Sequence, residues 1–495
     1  MGLLSNPNLK HPMNPSQTLN ELKKTIDGEI FQEDEILRFY SVDASLYQII
    51  PKMVILPRNE KDIIKIIKFA NKTKIPVTVR GAGTGLVGNS LNTGIIIDLK
   101  NMNSIKESKN SVRVQPGVMK GNLDIYLKRR KKFFPPNPSI GAYCAIGGII
   151  GNNASGSRTL KYGSVIDNIS EITFIDGRGK KIILPSDKKF GKKILEISKK
   201  INLSEYPKTS KNSCGYRLDQ IKSLNDTHKI LVGSEGTLGV IVSAKLKVRD
   251  MPSKKILFII ECNSVQKAAK NCLEIRETKP SAIEFVDKQT LNNFKFKFKK
   301  NTNCLLFVEY DSNLSSNEKK LCKIAKTRKL NKINSESKIQ QWWRYRDLAL
   351  SYSLKSIKSK DRVPHIIEDA AVPLEKLGDL FSLIEHINKK FQTRSVMYGH
   401  AGNGNIHVRI ISNRKKIRSL QKISLEYFDK VIKLGGTITA EHGDGIARSE
   451  FIEKQYGKKN YRIFKQLKKT FDPKKILNPG KITDYRYGLK NLEIP

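Results

Sequence analysis

Three glycines in six residues, Arg80-Gly81-Ala82-Gly83-Thr84-Gly85, follow an apolar strand pattern at residues 76–80 and lead through 86–93 into another at 94–99. Closely spaced glycines let successive backbone N–H groups turn toward one point, a nest suited to phosphate oxygens. A doubly wound dinucleotide fold needs such glycines to open a helix whose N-terminus faces the pyrophosphate. Here Gly88, Asn89, Ser90 and Asn92 argue against a helix, so a nicotinamide site is disfavoured. Taken alone, the loop is equally compatible with a tight turn that binds nothing.

A second small-residue run, Gly147-Gly148-Ile149-Ile150-Gly151-Asn152-Asn153-Ala154-Ser155-Gly156, changes that balance, because such a run lets backbone approach a flat ligand closely. Around the two runs the pattern is α/β at first. Strands are expected at 54–56, 76–80, 94–99 and 112–115, with a helix over 60–72 that places Ile63, Ile66, Ile67 and Ala70 on one face. Further strands are expected at 169–175, 181–184 and 240–248, and a boundary falls at Met251-Pro252. Beyond it, strands at 256–261, 304–310, 394–400 and 406–411 alternate with helices at 264–278 and 373–390, the mark of an α+β domain on an antiparallel sheet. At 495 residues the chain exceeds the roughly 250–300 that one core supports, so two domains are expected. Residues 1–45, with one amphipathic helix carrying Leu19, Leu22 and Ile26, are expected to be peripheral.

A formal net charge of +44 would attract any polyanion, but the lysines are spread over 128–132, 188–200, 295–300 and 319–332 instead of forming one stripe with interleaved aromatics. A solvated basic surface is therefore favoured over a nucleic-acid site, with an anionic partner left open. The six cysteines show no C-x-x-C spacing, which excludes a sequence-coded iron–sulfur cluster or zinc ribbon and fits a reducing compartment. Asn6 stands where a myristoylation signal wants Ser or Thr, and no apolar run reaches about 18 residues. The expectation is a cytoplasmic protein, with contact at the inner face of the membrane left open.

Two glycine-framed clusters carry the chemistry: Tyr398-Gly399-His400-Ala401-Gly402-Asn403-Gly404-Asn405-Ile406-His407 and Thr439-Ala440-Glu441-His442-Gly443-Asp444-Gly445. Gly402 and Gly404 argue against a helix, so His400 and His407 bracket a tight loop entering a strand. Two imidazoles and a carboxylate suit a divalent metal with positions left open for substrate.

The stretches 79–85, 115–117, 134–136, 147–156 and 231–239, in that order, resemble the flavin-binding domain of the vanillyl-alcohol oxidase and p-cresol methylhydroxylase superfamily. The resemblance implies an α+β protein: a two-lobed FAD-binding domain at 46–250, a substrate-binding cap at 251–450 and a segment 451–495 that returns to the FAD domain. It implies FAD held by Arg80, Gly81, Ala82, Gly83, Thr84, Gly85, Pro116, Gly117, Gly148, Asn153, Ala154, Ser155, Gly156, Tyr162 and Gly163, with Glu235, Gly236, Thr237, Gly239 and Asn478 closing the site. Some members tether FAD through a histidine in the first loop. No histidine lies between His11 and His228, so non-covalent FAD is expected.

The C-terminal clusters resemble those of the D-lactate, glycolate and D-2-hydroxyglutarate dehydrogenases. That resemblance implies His400, His407 and Glu441 as ligands of zinc, manganese or iron, and His442 as the general base. It also implies Arg346, in Trp342-Trp343-Arg344-Tyr345-Arg346-Asp347, as a substrate-carboxylate anchor, and Glu368-Asp369 as a structural strand start. Asn403 and Asp347 depart from the group, which more often has Asp and Glu there, and residues 356–365 are unusually basic. The opening Ser41-Val42-Asp43-Ala44-Ser45-Leu46-Tyr47 resembles the flavin half of enzymes that append an iron–sulfur module. A separate acceptor, an iron–sulfur subunit or an electron-transfer flavoprotein, is therefore expected. An alkyl-glycerone-phosphate synthase-like flavoenzyme and a non-catalytic polyanion binder are the alternatives.

Overall fold

The computed structural model describes residues 15–485 apart from 109, 292–293, 295, 313–316, 350, 352–360, 364–366 and 414–419. Of the basic stretch 356–365, all but 361–363 lies outside the described residues.

The first lobe is a four-stranded sheet. Met53–Leu56, Ile95–Asp98 and Val77–Arg80 run parallel, as buried apolar strands joined by crossovers do. The helix Glu60–Thr73 covers it with Ile63, Ile66, Ile67 and Ala70. Asn59 caps its first turn by accepting the Asp62 N–H. The segment before residue 46 is not peripheral. Glu29–Phe31 adds an antiparallel edge strand on Met53–Leu56, Leu22 and Ile26 enter the core, and the Tyr40 hydroxyl donates to Asp98 at 2.6 Å. A strand of three residues is too short to show a period in sequence.

The second lobe is a five-stranded antiparallel sheet in the order Ile105–Ser108, Ser111–Val114, Val240–Lys247, Ile169–Ile175, Lys181–Leu184. The third unit is built on a larger antiparallel sheet. At its centre Cys304–Tyr310 is buried along its whole length, flanked by Ile256–Cys262 and Ala282–Asp287. The hairpin Arg394–His400 and Asn405–Asn413 follows on the Ala282–Asp287 side. The helix Ile452–Phe471 then carries the chain back. Phe471 packs on Phe174 and Phe190, and Asn478 N–H donates to Val77 O at 2.7 Å beside the first-lobe sheet. The result is an α+β protein whose last segment returns to its first lobe. No helix among the described residues is long and apolar enough to cross a membrane.

Candidate active site

The hairpin presents its chemistry by alternation. Asn405, His407 and Arg409 fall on one face, while Ile406, Val408 and Ile410 face the core. In register, Tyr398 pairs with His407 and Gly399 with Phe285 of the neighbouring strand. That register sets Glu284 beside His400, whose Nδ1 lies 2.7 Å from Glu284 Oε1.

The second cluster is held by Asp369. Its Oδ2 accepts the backbone N–H groups of Ala440, Glu441 and His442 at 3.1, 3.0 and 2.8 Å, and the Thr439 hydroxyl at 2.8 Å. This grip aims Glu441 at the hairpin, so that its Oε1 lies 3.1 Å from His400 Nε2, 3.2 Å from His407 Nε2 and 3.8 Å from His442 Nε2. Three imidazole nitrogens thus converge on one carboxylate oxygen.

The surrounding charges are paired and buried. Four carboxyl groups (Glu284, Glu368, Asp369, Glu441) meet four cationic side chains (Lys211, Arg346, Arg409, Arg448). Burial alone would raise Glu441, Glu368 and Glu284. Lys211 beside Glu441, His442 beside Glu368 and Arg346 beside Glu284 instead hold all three below the usual carboxylate range. Burial pulls His442 down, and Asp369 and Glu368 more than reverse this, lifting it to about 9. Burial dominates at His407 and lowers it.

A cavity of about 390 Å³ joins this cluster to the glycine loop. Residues 80–86, Pro116, Gly148, Ala154, Ser155, Glu235, Gly236 and Gly239 line one end. Tyr398, His407, Arg409, Glu441 and His442 line the other. Residues 51–184 match the FAD binding domain family, and residues 251–482 match the FAD linked oxidases, C-terminal domain. Over 459 residues the chain is 30% identical to the glycolate oxidase subunit GlcD of Bacillus subtilis, covering 90% of this chain and 91% of that one. The chain belongs to the FAD-linked oxidases.

Two other relatives of this FAD-linked oxidase are named D-lactate dehydrogenase. That of Anaerostipes hadrus is 26% identical, covering 93% of this chain and 94% of that one, and that of Archaeoglobus fulgidus 28%, covering 94% and 98%. A solved alkyldihydroxyacetonephosphate synthase shares the fold, with a TM-score of 0.69 at 17% identity over 97% of this chain and 86% of that one. The protein is an FAD-binding oxidoreductase.

The glycine end of the cavity fits the cofactor. Among the described residues, the backbone N–H groups from Gly81 to Leu86 have no protein acceptor, so the nest is free to take an anion. A Cβ built on Gly148 would meet nothing within 4 Å, whereas one on Gly83, at φ +70°, would strike the Arg80 guanidinium tucked beneath the loop.

Several expected residues of the FAD-linked oxidase lie behind the cavity wall instead of in it. Asn478 donates to Asn89 O and Glu235 O and accepts from Thr78, stapling the C-terminal segment under the cradle. Tyr162 bonds Asp311, just past the strand Cys304–Tyr310, and is followed by Gly163 at φ +76°. Asn153 bonds Asn212 O and Ile166 N–H, and Thr237 bonds Ser234 O and Tyr216. At Gly117 and Gly156 a Cβ would strike the carbonyls of Leu99 and Asn137. Glu235 lines the wall and also accepts the N–H groups of Asp444 and Gly445 at 2.6 and 2.9 Å, tying cradle to cluster.

Arg346 requires a correction. It is buried behind the wall, ion-paired with Glu284 and 3.4 Å from His400 Nδ1, so its charge is already answered. The arginine in the wall at the imidazole end is Arg409, whose neighbours are Glu368 Oε2 and the Tyr398 hydroxyl, each at 3.4 Å. Glu368 is likewise more than a strand start, since its Oε1 lies 2.7 Å from His442 Nδ1. The polar alternation Asn405, His407, Arg409 is a signal that could have found Arg409. A lone acid within the apolar run Ala282-Ile283-Glu284-Phe285-Val286 is the corresponding signal for Glu284. Nothing in sequence sets Lys211 apart from the other lysines.

The imidazole end fits a divalent metal. His400, His407 and Glu441 offer convergent nitrogen and oxygen donors, and carboxyl groups behind His400 and His442 hold the rings in orientation. Donor atoms of Asp369, His407, Glu441 and His442 also lie within 4.8 Å of one another. Asp369 already accepts four hydrogen bonds on Oδ2 and one from the Asn405 amide on Oδ1, which makes His400 the better third ligand.

Proposed function

We propose that this FAD-linked oxidase oxidises a small D-2-hydroxy acid of the D-lactate, glycolate or D-2-hydroxyglutarate class to its 2-oxo acid. The observation that carries the proposal is the single cavity running from a free N–H nest to a converging imidazole cluster, with an arginine in its wall. Non-covalent FAD, bound in the cradle, supplies the hydride acceptor. His400, His407 and Glu441 would hold zinc, manganese or iron, whose Lewis acidity favours loss of the substrate hydroxyl proton.

The protein's own groups do the rest. His442 Nε2, at the cavity wall, takes the hydroxyl proton, and Glu368 on Nδ1 fixes the ring and stabilises the imidazolium that results. Arg409 meets the substrate carboxylate through a fork suited to two oxygens. Because the buried charges already balance, a dication leaves room for the substrate's negative charge. Electrons then leave to a separate acceptor, an iron–sulfur subunit or an electron-transfer flavoprotein, in a cytoplasmic enzyme that can lie against the inner face of the membrane.

The test is anaerobic bleaching of the purified yellow protein by a panel of D- and L-2-hydroxy acids. Bleaching by D-acids supports the proposal. Bleaching by L-acids alone overturns it, and so does substrate exchange without bleaching, the behaviour expected of a synthase-like flavoenzyme.

A further inference from the structure

The two oxygens of Glu441 have different surroundings. Oε1 faces the three imidazoles, while Oε2 accepts the Lys211 ammonium at 2.9 Å and the Ser155 hydroxyl at 2.5 Å. The Lys211 side chain is fully enclosed, and the only other hydrogen-bond partner of its ammonium among the described residues is Asn405 Oδ1 at 3.3 Å. It comes from the connection 207–217, which belongs to neither the hairpin nor the Glu441 loop. Ser213 from the same connection holds that loop, its N–H donating to Thr439 O at 3.1 Å and its hydroxyl to Ala440 O at 2.9 Å.

A buried ammonium beside a metal-ligating carboxylate is a costly choice if the only task is to bind a cation, because like charge opposes the metal and desolvation opposes the lysine. A hydroxyl or amide would orient the carboxylate at less cost. What the ammonium adds is a firm claim on one oxygen. A free carboxylate can chelate through both oxygens, and a metal so chelated has one fewer position for substrate. Hydroxyl and carboxylate oxygens of a 2-hydroxy acid need two.

We propose that Lys211 is a positioning residue for the metal centre: with Ser155 it holds Oε2 of Glu441, so that the carboxylate presents Oε1 alone and two positions stay open for the substrate. This rests on the metal reading given above. Ser155 lines the flavin cavity, so the same contact ties the metal centre to the flavin cradle.

Lys211→Met, Lys211→Arg and Ser155→Ala are compared with wild type after reconstitution with cobalt(II), whose visible absorbance weakens as coordination number rises. Lys211→Met is expected to bind cobalt as tightly as wild type or more tightly, with weaker absorbance, and to raise KM for the hydroxy acid about tenfold or more. Lys211→Arg is expected to restore the wild-type spectrum and KM in large part. A buried lysine can be needed for folding, so Ser155→Ala provides an independent reading, expected to move the spectrum in the same direction by less.

Wild-type protein that binds cobalt, with variants matching it in spectrum and KM, overturns the role of Lys211 alone. So does weaker cobalt binding by Lys211→Met with no change in spectrum, the signature of a general structural loss. Wild-type protein that binds no cobalt overturns the metal reading and this proposal together.

Discussion

Oε1 of Glu368 lies 2.7 Å from Nδ1 of His442, at the opposite ring nitrogen from Nε2, which faces Glu441. A carboxylate in that position fixes the tautomer, leaving Nε2 to face the cavity as the proton acceptor. Glu368→Gln keeps the shape and removes the charge. It should lower kcat about 10- to 100-fold with FAD content unchanged, whereas His442→Ala should leave yellow protein that no hydroxy acid bleaches. Steady-state kinetics and the flavin spectrum of each variant check both outcomes.

The same pair gives the metal-free protein a pH dependence. Burial lowers His442, but Asp369 and Glu368 lift it to about 9 in the folded state, against roughly 6.5 when unfolded. The proton is therefore held more tightly folded than unfolded. Its contribution is complete below about pH 6.5 and is lost as pH rises through about 9, a change of about 3 kcal/mol. Urea midpoints of chelated protein should fall across that window. A bound dication repels the imidazolium proton, so metal-loaded protein should show a flatter profile.

Glycine positions separate cradle from scaffold. Gly148 has open space where a Cβ would stand, so Gly148→Leu should fold and purify without yellow colour. A Cβ at Gly156 would lie 2.1 Å from Asn137 O, and Gly156→Ala should cost about 2 kcal/mol of stability or more. Thermal melts with flavin quantification on both variants distinguish the two roles.

The two arginines divide in the same way. Arg409→Met should raise KM for the hydroxy acid about 10- to 100-fold with the fold intact. Arg346→Met strands the buried Glu284 carboxylate and should cost about 3–5 kcal/mol, visible in denaturant unfolding before any kinetic effect is interpreted.

The residues that were legible and those that were not differ by how local their signals are. His400 and His407 could be placed on a tight loop because Gly402 and Gly404 stand between them, and the helix Glu60–Thr73 because four apolar residues share a face. The antiparallel sheet beyond Met251-Pro252 could be read from strands that alternate with amphipathic helices. Glu284 acquires its meaning only from the strand order that sets Ala282–Asp287 against the hairpin, a long-range fact with no local signature. Glu368 and Asp369 were visible as a motif, but the loop they hold lies some 70 residues away. Arg346 was recognisable from its Trp-rich segment. Its pairing with Glu284 depends on the same unseen strand. Lys211 is one among 91 Lys and Arg residues, and only packing distinguishes it.

The most direct test of one cavity joining flavin to imidazole cluster is anaerobic stopped-flow reduction of the flavin by D-lactate, glycolate and D-2-hydroxyglutarate. Metal-loaded protein, chelated protein and metal-loaded His442→Ala are measured in parallel. Fast bleaching by at least one of these acids is expected in the first, loss of it in the second with recovery on adding metal, and none in the third. Equal bleaching rates in all three would contradict this expectation.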